Sequence, residues 1–224
     1  NAPNPVRHKN KNHGNNKKGI LGNFYGKVGT VIGSKWKGIK YMRSLPDPSS
    51  KPPTQKQLNQ REKFRQGSLF LQPLGPVIRI GFRTQQSRQT PVNAALSDLL
   101  TNSMSGESPD FSINYERLKI AKGNLTGARN AGVTLDGNNI NFSWLDNSGE
   151  GDARTEDEAI LTAVSDTAYP LFSLGAITRG AATGSLEVPD GTSGSVFHCY
   201  LAFAGTDGRT QVSNSIYLGE VAIP

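Results

Sequence analysis

Hydrophobic and polar residues alternate with a period of two over much of the second half of the chain, as is typical of β-strands with one buried face. Turn pairs such as Asp136-Gly137 and Asp190-Gly191 separate the alternating stretches. The pattern predicts short strands at 111–121, 138–145, 158–165, 170–178, 184–188, 195–205 and 212–222. Strands of this number and length favour two packed sheets.

Helical spacing appears earlier in the chain, in two segments. Thr54 and Gln57 form a T-x-x-Q capping box, which predicts a helix from about Thr54 to Leu71. Thr90-Pro91 predicts a second helix start, because proline is well tolerated at the first helical position. The apolar residues that follow recur at helical spacing and predict a packed face: Val92, Ala95, Leu96, Leu99 and Leu100.

Glycine recurs between short runs of β-forming residues in residues 19–44. This segment predicts two or three short strands joined by tight turns. A sheet this small is not stable alone, so we expect it to join a sheet of the main body or of a neighbour. Residues 45–54 predict a proline-rich linker. Residues 1–18 hold one sizeable apolar side chain, Val6, and predict an extended basic arm.

The predicted fold is mainly β and has three parts. These are the basic N-terminal arm (1–18), a small α+β region of short strands and two helices (19–109), and a β-sandwich (110–224). Trp144 on an early strand and the run Cys199–Ala204 on the penultimate strand resemble, in pattern and spacing, the core of immunoglobulin or fibronectin type III-like sandwiches. That resemblance implies a spacer or an adhesive surface.

Charge is divided unevenly along the 224 residues. Residues 1–110 carry 18 Lys and Arg against 5 Asp and Glu, and residues 111–224 carry 7 against 13. The basic half is expected to bind either a polyanion such as nucleic acid or the acidic half of another copy, head to tail. An uneven but inert surface is the third interpretation. No apolar run approaches the roughly 18 residues that span a bilayer, so no membrane insertion is expected.

Catalytic motifs are not found in the sequence. Gly26-Lys27 is followed by Val28, so no phosphate-binding loop is present, and neither G-x-S-x-G nor H-E-x-x-H occurs. His198 and Cys199 are adjacent on a predicted strand, where neighbouring side chains point to opposite faces. Cys199 is therefore predicted to be a small buried core residue. We expect a protein that is not an enzyme and needs no cofactor.

The loop at residues 146–152 places oxygen-bearing side chains at alternate positions. Counted from Asp146, the sixth residue is a glycine and the twelfth is an acid, which weakly resembles the spacing of a calcium-binding loop. A strand precedes the loop where a calcium loop would have a helix, so a solvated hairpin loop is favoured. Calcium stays open as an alternative, with the candidate ligands Asp146, Ser148, Glu150, Asp152 and Asp157.

Basic and aromatic side chains are interleaved in residues 35–43. Such a composition can combine phosphate contacts with base stacking. The same lysines could instead keep an edge strand soluble. The candidate contact residues for a protein partner or a polyanion are Arg7, Lys9, Lys11, Lys17, Lys18, Lys27, Lys35, Trp36, Lys37, Lys40, Tyr41 and Arg43.

Four sequence motifs carry a family resemblance: GILGNFYGKVGTVIGSKWKGIKYMRS (19–44), KPPTQKQL (51–58), FSWLDNSG (142–149) and SNSIYLGEV (213–221). With them the chain, from about Gly19 onward, resembles an uncharacterised domain-of-unknown-function family that is common in Bacteroidota. The resemblance implies an origin in bacteria or in a phage of such bacteria. It carries over no activity, ligand or catalytic residue.

The function expected from these observations is structural. We expect self-assembly into a filament, a surface layer or a virion-like particle, through the N-terminal arm and the strands of residues 19–44. The alternative is a nucleic-acid-associated protein that binds phosphates through the basic residues of 1–88. A carbohydrate- or surface-binding module built on the sandwich is a third candidate. A bacterial surface, the extracellular space or a phage particle is favoured over the cytoplasm.

Overall fold

The computed structural model describes residues 15–16 (backbone only), 24–36, 38–47, 52–84 and 89–224. The chain divides into two compact units, Asn1–Pro53 and Thr54–Pro224. The division falls within the proline-rich segment. Apart from Asn15–Asn16, the extended arm expected over residues 1–18 lies outside the described residues.

The first unit holds a small antiparallel sheet. Its strands stand in the order β1-β2-β3-β4. They are β1 (Asn15–Asn16), β2 (Phe24–Val28), β3 (Val31–Trp36) and β4 (Ile39–Ser44). We call β2, β3 and β4 the N-terminal sheet. The prediction of short, glycine-punctuated strands in this segment is confirmed.

The second unit begins with helices. These are α1 (Gln55–Leu71), α2 (Gly75–Gly81) and α3 (Pro91–Asp98), and a π-helical turn (Leu99–Ser103) extends α3. The predicted capping box is confirmed, because the Thr54 N–H donates to Gln57 Oε1 at 2.9 Å and the Gln57 N–H donates to Thr54 Oγ1 at 3.4 Å. Thr90 caps α3 in the same way, accepting from the Asn93 N–H at 3.2 Å. The sequence reasoning missed α2.

The rest of the second unit is β-structure, so the protein is mainly β. A four-stranded sheet has the order β10-β9-β12-β13, a three-stranded sheet the order β11-β8-β7, and β5 and β6 form a hairpin; every pair is antiparallel. The strands are β5 (Met104–Glu107), β6 (Asp110–Ile113), β7 (Arg129–Asp136), β8 (Asn139–Leu145), β9 (Glu158–Val164), β10 (Leu171–Ser173), β11 (Thr183–Glu187), β12 (Val196–Ala204) and β13 (Ile216–Ala222).

The two central strands of the four-stranded sheet, β9 and β12, are buried on both faces. Phe197, Leu201 and Phe203 of β12 share one buried cluster with side chains of the three-stranded sheet. Tyr200 and Ala202, which alternate with them, belong to a second cluster with the helices. β9 and β12 are therefore apolar on both faces, and their sequences run almost without polar interruption, as strands covered on two sides do.

Some predicted strands differ from the observed ones. The strand expected at 111–121 is wrong beyond Ile113, because Asn114 starts a turn instead: its side chain accepts from the Arg117 N–H at 3.1 Å. The strand expected at 170–178 is short, ending at Ser173, and the last strand begins at Ile216 rather than at 212. β5 and β7 were not predicted. None of the helices in the described ranges has the length and apolarity that crossing a membrane requires.

Candidate functional site

The N-terminal sheet depends on glycine at its turns and at one close approach. Gly29 (φ +57°) joins β2 to β3, and Gly38 (φ +84°) precedes β4, in backbone conformations that favour glycine. Gly33 in β3 is buried, and a Cβ there would lie 2.0 Å from the carbonyl oxygen of Phe24. Only glycine fits at this position, so the sequence itself provides for the close approach of β2 to β3.

One face of the N-terminal sheet carries basic and aromatic side chains together. In the strand register Ile32 lies opposite both Lys27 and Arg43, while Tyr41 lies opposite Ser34. Alternate residues of a strand share a face, so Trp36 and its partner Ile39 belong to this face as well. The sheet therefore offers apolar and aromatic surface with two cations, Lys27 and Arg43, at one end, and we call this surface the basic-aromatic face.

The opposite face pairs two lysines. Lys35 of β3 stands directly across from Lys40 of β4. Like charges in directly opposed positions destabilise a strand pair. The register therefore brings two positive charges together on the face opposite the basic-aromatic face.

The N-terminal sheet is exposed to an unusual degree for its composition. All six residues of β4 are exposed, with Ile39 at 66% and Met42 at 68% of their full accessible surface. Among the described strands, β4 has no neighbour on its outer edge. An exposed edge strand that bears large apolar side chains is a template for pairing with another chain.

Charge separates the two units. Residues 1–53 contain 11 Lys and Arg but a single acid, Asp47, whereas residues 54–224 contain 14 Lys and Arg and 17 Asp and Glu. Basic residues make up a larger share of the charged residues in 1–53 than in the basic half 1–110. The N-terminal sheet thus lies in a strongly basic segment, and the larger unit is weakly acidic.

The predicted contact residues divide into two groups. Those of β2, β3 and β4 are brought together on one small sheet by the register: Lys27, Lys35, Trp36, Lys40, Tyr41 and Arg43. The others lie outside the described residues: Arg7, Lys9, Lys11, Lys17, Lys18 and Lys37.

The candidate calcium ligands face separate protein partners. Asp146 accepts a hydrogen bond from the Ser148 N–H at 3.0 Å, and Glu150 pairs with Arg129 at 3.0 Å. Asp152 accepts from the Thr126 N–H at 2.8 Å. Across the described part of the chain, no group of three or more His, Cys, Asp and Glu side chains is placed to hold a metal ion.

Asp157, the last of those candidates, lies in a buried ionic cluster that the sequence reasoning missed. Its fully buried carboxylate pairs with Arg179, also fully buried, at 3.2 Å, and with Arg209. Burial lowers the pKa of the Arg179 guanidinium, while Asp157 opposes that shift. A buried charge requires a partner, and these side chains partner one another inside the protein. We therefore interpret the cluster as part of the core.

Arg179 fixes the chain around it. Its guanidinium donates to Asn147 Oδ1 at 2.7 Å and to the Thr126 carbonyl at 2.8 Å, and it stacks over the Phe203 ring at 3.8 Å. Its carbonyl accepts from Trp144 Nε1 at 2.8 Å. The loop at 146–157 is thereby tied to the core at several points. Arg179 belongs to a short 3₁₀ turn (Arg179–Ala181), and no spacing in the sequence distinguishes it from the surface arginines.

His198 and Cys199 point to opposite sides of the four-stranded sheet, as predicted. Cys199 belongs to the cluster shared with the three-stranded sheet, and burial raises the pKa of its thiol to about 12. His198 stacks on Tyr115 at 3.7 Å between ring centroids, and its Nδ1 lies 3.0 Å from the Tyr217 hydroxyl. Cys199 is a core residue, as predicted, and is not a reactive thiolate.

Residues 23–219 match the family of unknown function DUF6266. The chain belongs to this family. The match confirms the resemblance to an uncharacterised family. It includes the N-terminal sheet as well as the larger unit, so both are parts of the DUF6266 domain. No curated protein and no solved structure matches the chain.

Proposed function

We propose that this DUF6266 protein is a non-enzymatic structural protein that associates with copies of itself through its N-terminal sheet. The observation that supports the proposal is the exposure of β4, with Ile39, Tyr41 and Met42 all open to solvent on a strand whose outer edge is paired by none of the described strands. A sheet of this size does not bury enough apolar surface to be stable alone. A second copy supplies the missing surface.

Charge supports the choice of a second copy as the partner. The basic segment 1–53 and the weakly acidic segment 54–224 are complementary between copies. A contact between unlike patches is heterologous, and repeating it produces a ring or an open filament. The opposed pair Lys35 and Lys40 then faces carboxylates of the neighbouring copy, which removes the repulsion between them.

Charge reversal at that pair tests the proposal. The variant Lys35→Glu/Lys40→Glu, treated with nuclease, is expected to lose association by light scattering and to elute near the single-chain mass of 24.1 kDa. The control is Lys56→Glu/Arg61→Glu, which makes the same charge change at two exposed positions of α1. If the wild type is a monomer, or if both variants lose association equally, the proposal is wrong.

Polyanion binding is the second candidate, and one observation favours it. Trp36 and Tyr41 share the basic-aromatic face with Lys27 and Arg43, so a base and a phosphate could be contacted from one surface. Fluorescence anisotropy with labelled single-stranded DNA and RNA over a salt series tests this function. Affinity that falls steeply with salt and drops in Trp36→Ser would support it. If the protein still associates after nuclease treatment and binds neither DNA nor RNA, polyanion binding is excluded and only self-association is supported.

The architecture of the larger unit carries a second inference. We infer that the two sheets of the larger unit form an immunoglobulin or fibronectin III-like sandwich, and the buried cluster that they share supports this. Such a sandwich would be the outward-facing body of the assembly. Electron microscopy of the associated protein distinguishes a filament from a surface layer or a virion-like particle.

A further inference from the structure

A pocket of about 340 Å³ lies in the larger unit, between the α1–α2 region and the loop that joins β9 to β10. Leu69, Phe70 and Pro73 form its helical wall, and Asp166 and Tyr169 stand on the loop side. The pocket shares no residue with the ionic cluster around Arg179 or with the N-terminal sheet.

The chemistry of the pocket fits a cation on an aliphatic stem. Asp166 is the one charged side chain among its described lining residues, and most of the others are apolar or aromatic. Tyr169, 85% exposed at the loop, presents a ring that is open to a ligand. Aromatic rings attract ammonium and guanidinium groups, and a carboxylate beside them adds an ion pair.

The carboxylate of Asp166 is held in place by a hydrogen bond from the hydroxyl of Tyr115, which does not line the pocket. Tyr115 packs edge-on against Phe70, with 6.3 Å between ring centroids, and also stacks on His198. These two rings fix the donor of that hydrogen bond, so the carboxylate is oriented before a ligand arrives.

We propose that this pocket binds a lysine side chain from residues 1–53 of a second copy. The inference rests on the proposed self-association and gives it a specific contact. Nine of the 11 basic residues in that segment are lysines. The methylene stem of a lysine would lie along Leu69 and Phe70, and its ammonium would reach Asp166.

Carbodiimide cross-linking tests the contact, since this reagent joins a carboxylate to an amine that touches it. Equal amounts of unlabelled and ¹⁵N-labelled full-length protein are mixed, cross-linked, digested and analysed by mass spectrometry. We expect Asp166 joined to lysines of residues 1–53, with mixed-isotope pairs that identify two copies. Links from Asp166 only within one isotope, or none while other acids are linked, would overturn the proposal.

A binding measurement separates this inference from the proposed function. The probe is a labelled peptide of residues 7–18, and its control is the same peptide with every lysine acetylated. We expect full-length Asp166→Asn to bind the probe about tenfold more weakly than wild type, and Tyr169→Ala to weaken binding too. Asp136→Asn, an exposed acid at the β7–β8 turn, is the matched control and should bind as wild type does.

The outcomes are distinguishable. In one outcome the full-length protein is a monomer, yet it binds the probe and Asp166→Asn weakens that binding. Self-association is then wrong, and so is the second copy as the occupant of the pocket. The pocket would remain a lysine site for other partners. If the protein associates while Asp166→Asn associates and binds the probe as Asp136→Asn does, the proposed function stands and the pocket inference fails.

Discussion

Strands β4 and β12 are both rich in β-forming residues, yet they lie in opposite surroundings. Every residue of β12 from Cys199 to Ala204 is buried, because the helices cover one face and a second sheet covers the other. All six residues of β4 are exposed. A strand-forming sequence therefore does not specify what covers the strand. In the larger unit the chain supplies both covers, and in the N-terminal sheet we propose that another copy supplies them.

The largest expected effect comes from breaking the ionic cluster that anchors the buried region. Arg179→Met removes a partner of the buried Asp157 and leaves several carbonyl and amide acceptors without a donor, which we expect to lower the free energy of unfolding by about 3–5 kcal/mol. Urea denaturation followed by tryptophan fluorescence measures it. Arg154→Met, at an exposed arginine in the loop at 146–157, should change stability by less than about 0.5 kcal/mol. Equal effects of the two substitutions would refute the structural role of Arg179.

Isoleucine-to-alanine substitutions in β9 and in β4 are expected to have different effects. Ile160 is 1% exposed in β9 and Ile39 is 66% exposed in β4. Ile160→Ala should cost about 2–5 kcal/mol of unfolding free energy, because it leaves a cavity. Ile39→Ala should leave the unfolding of the larger unit unchanged and weaken self-association instead. A large loss of unfolding free energy in Ile39→Ala at a concentration where the protein is monomeric would show that β4 is covered by its own chain.

A glycine substitution disrupts the N-terminal sheet alone. Gly33→Ala places a Cβ against the Phe24 backbone, so we expect β2 and β3 to be forced apart and association to weaken at least about tenfold by sedimentation velocity. Gly75→Ala is the control, because a Cβ there meets nothing within 4 Å. Association of Gly33→Ala that matches this control would remove the sheet from the interface.

The smallest effect concerns pH. Burial lowers the pKa of His198 from its usual 6.5, against the opposing charges of Glu220 and Asp166. The folded state therefore prefers the neutral ring, so its contribution to stability is present above the unfolded pKa and is lost as pH falls through the folded one. Stability should be slightly lower at pH 5.5 than at pH 7.5, and His198→Gln should reduce that difference. An unchanged difference in this variant would mean that His198 does not cause it.

Local signals in the sequence predicted what local contacts determine. The caps at Thr54 and Thr90 act within three residues, and both helix starts are confirmed. β7 was missed because Ala131 and Gly132 weaken its alternation, and its pairing with β8 supplies what the sequence does not show.

The buried cluster and the pocket depend on contacts that no local pattern encodes. Arg179 meets Asp157, Asn147 and Thr126, which are 22 to 53 residues away in sequence. The pocket likewise combines a helix wall with a loop almost 100 residues later, Phe70 with Asp166. The sequence predicted that β4 is a strand but not that it is exposed, because the hydrophobic periodicity of a strand is the same whether or not its sheet is covered.

The most direct test of the central claim is the mass in solution of the intact chain and of residues 54–224, measured side by side. Light scattering on nuclease-treated samples over a concentration series gives both masses, and absorbance at two wavelengths excludes nucleic acid. We expect the intact chain to have a mass that is a whole multiple of 24.1 kDa, two or more, whereas residues 54–224 stay at the mass of one copy. An intact chain that remains at 24.1 kDa throughout, or a truncated chain that associates equally well, would contradict it.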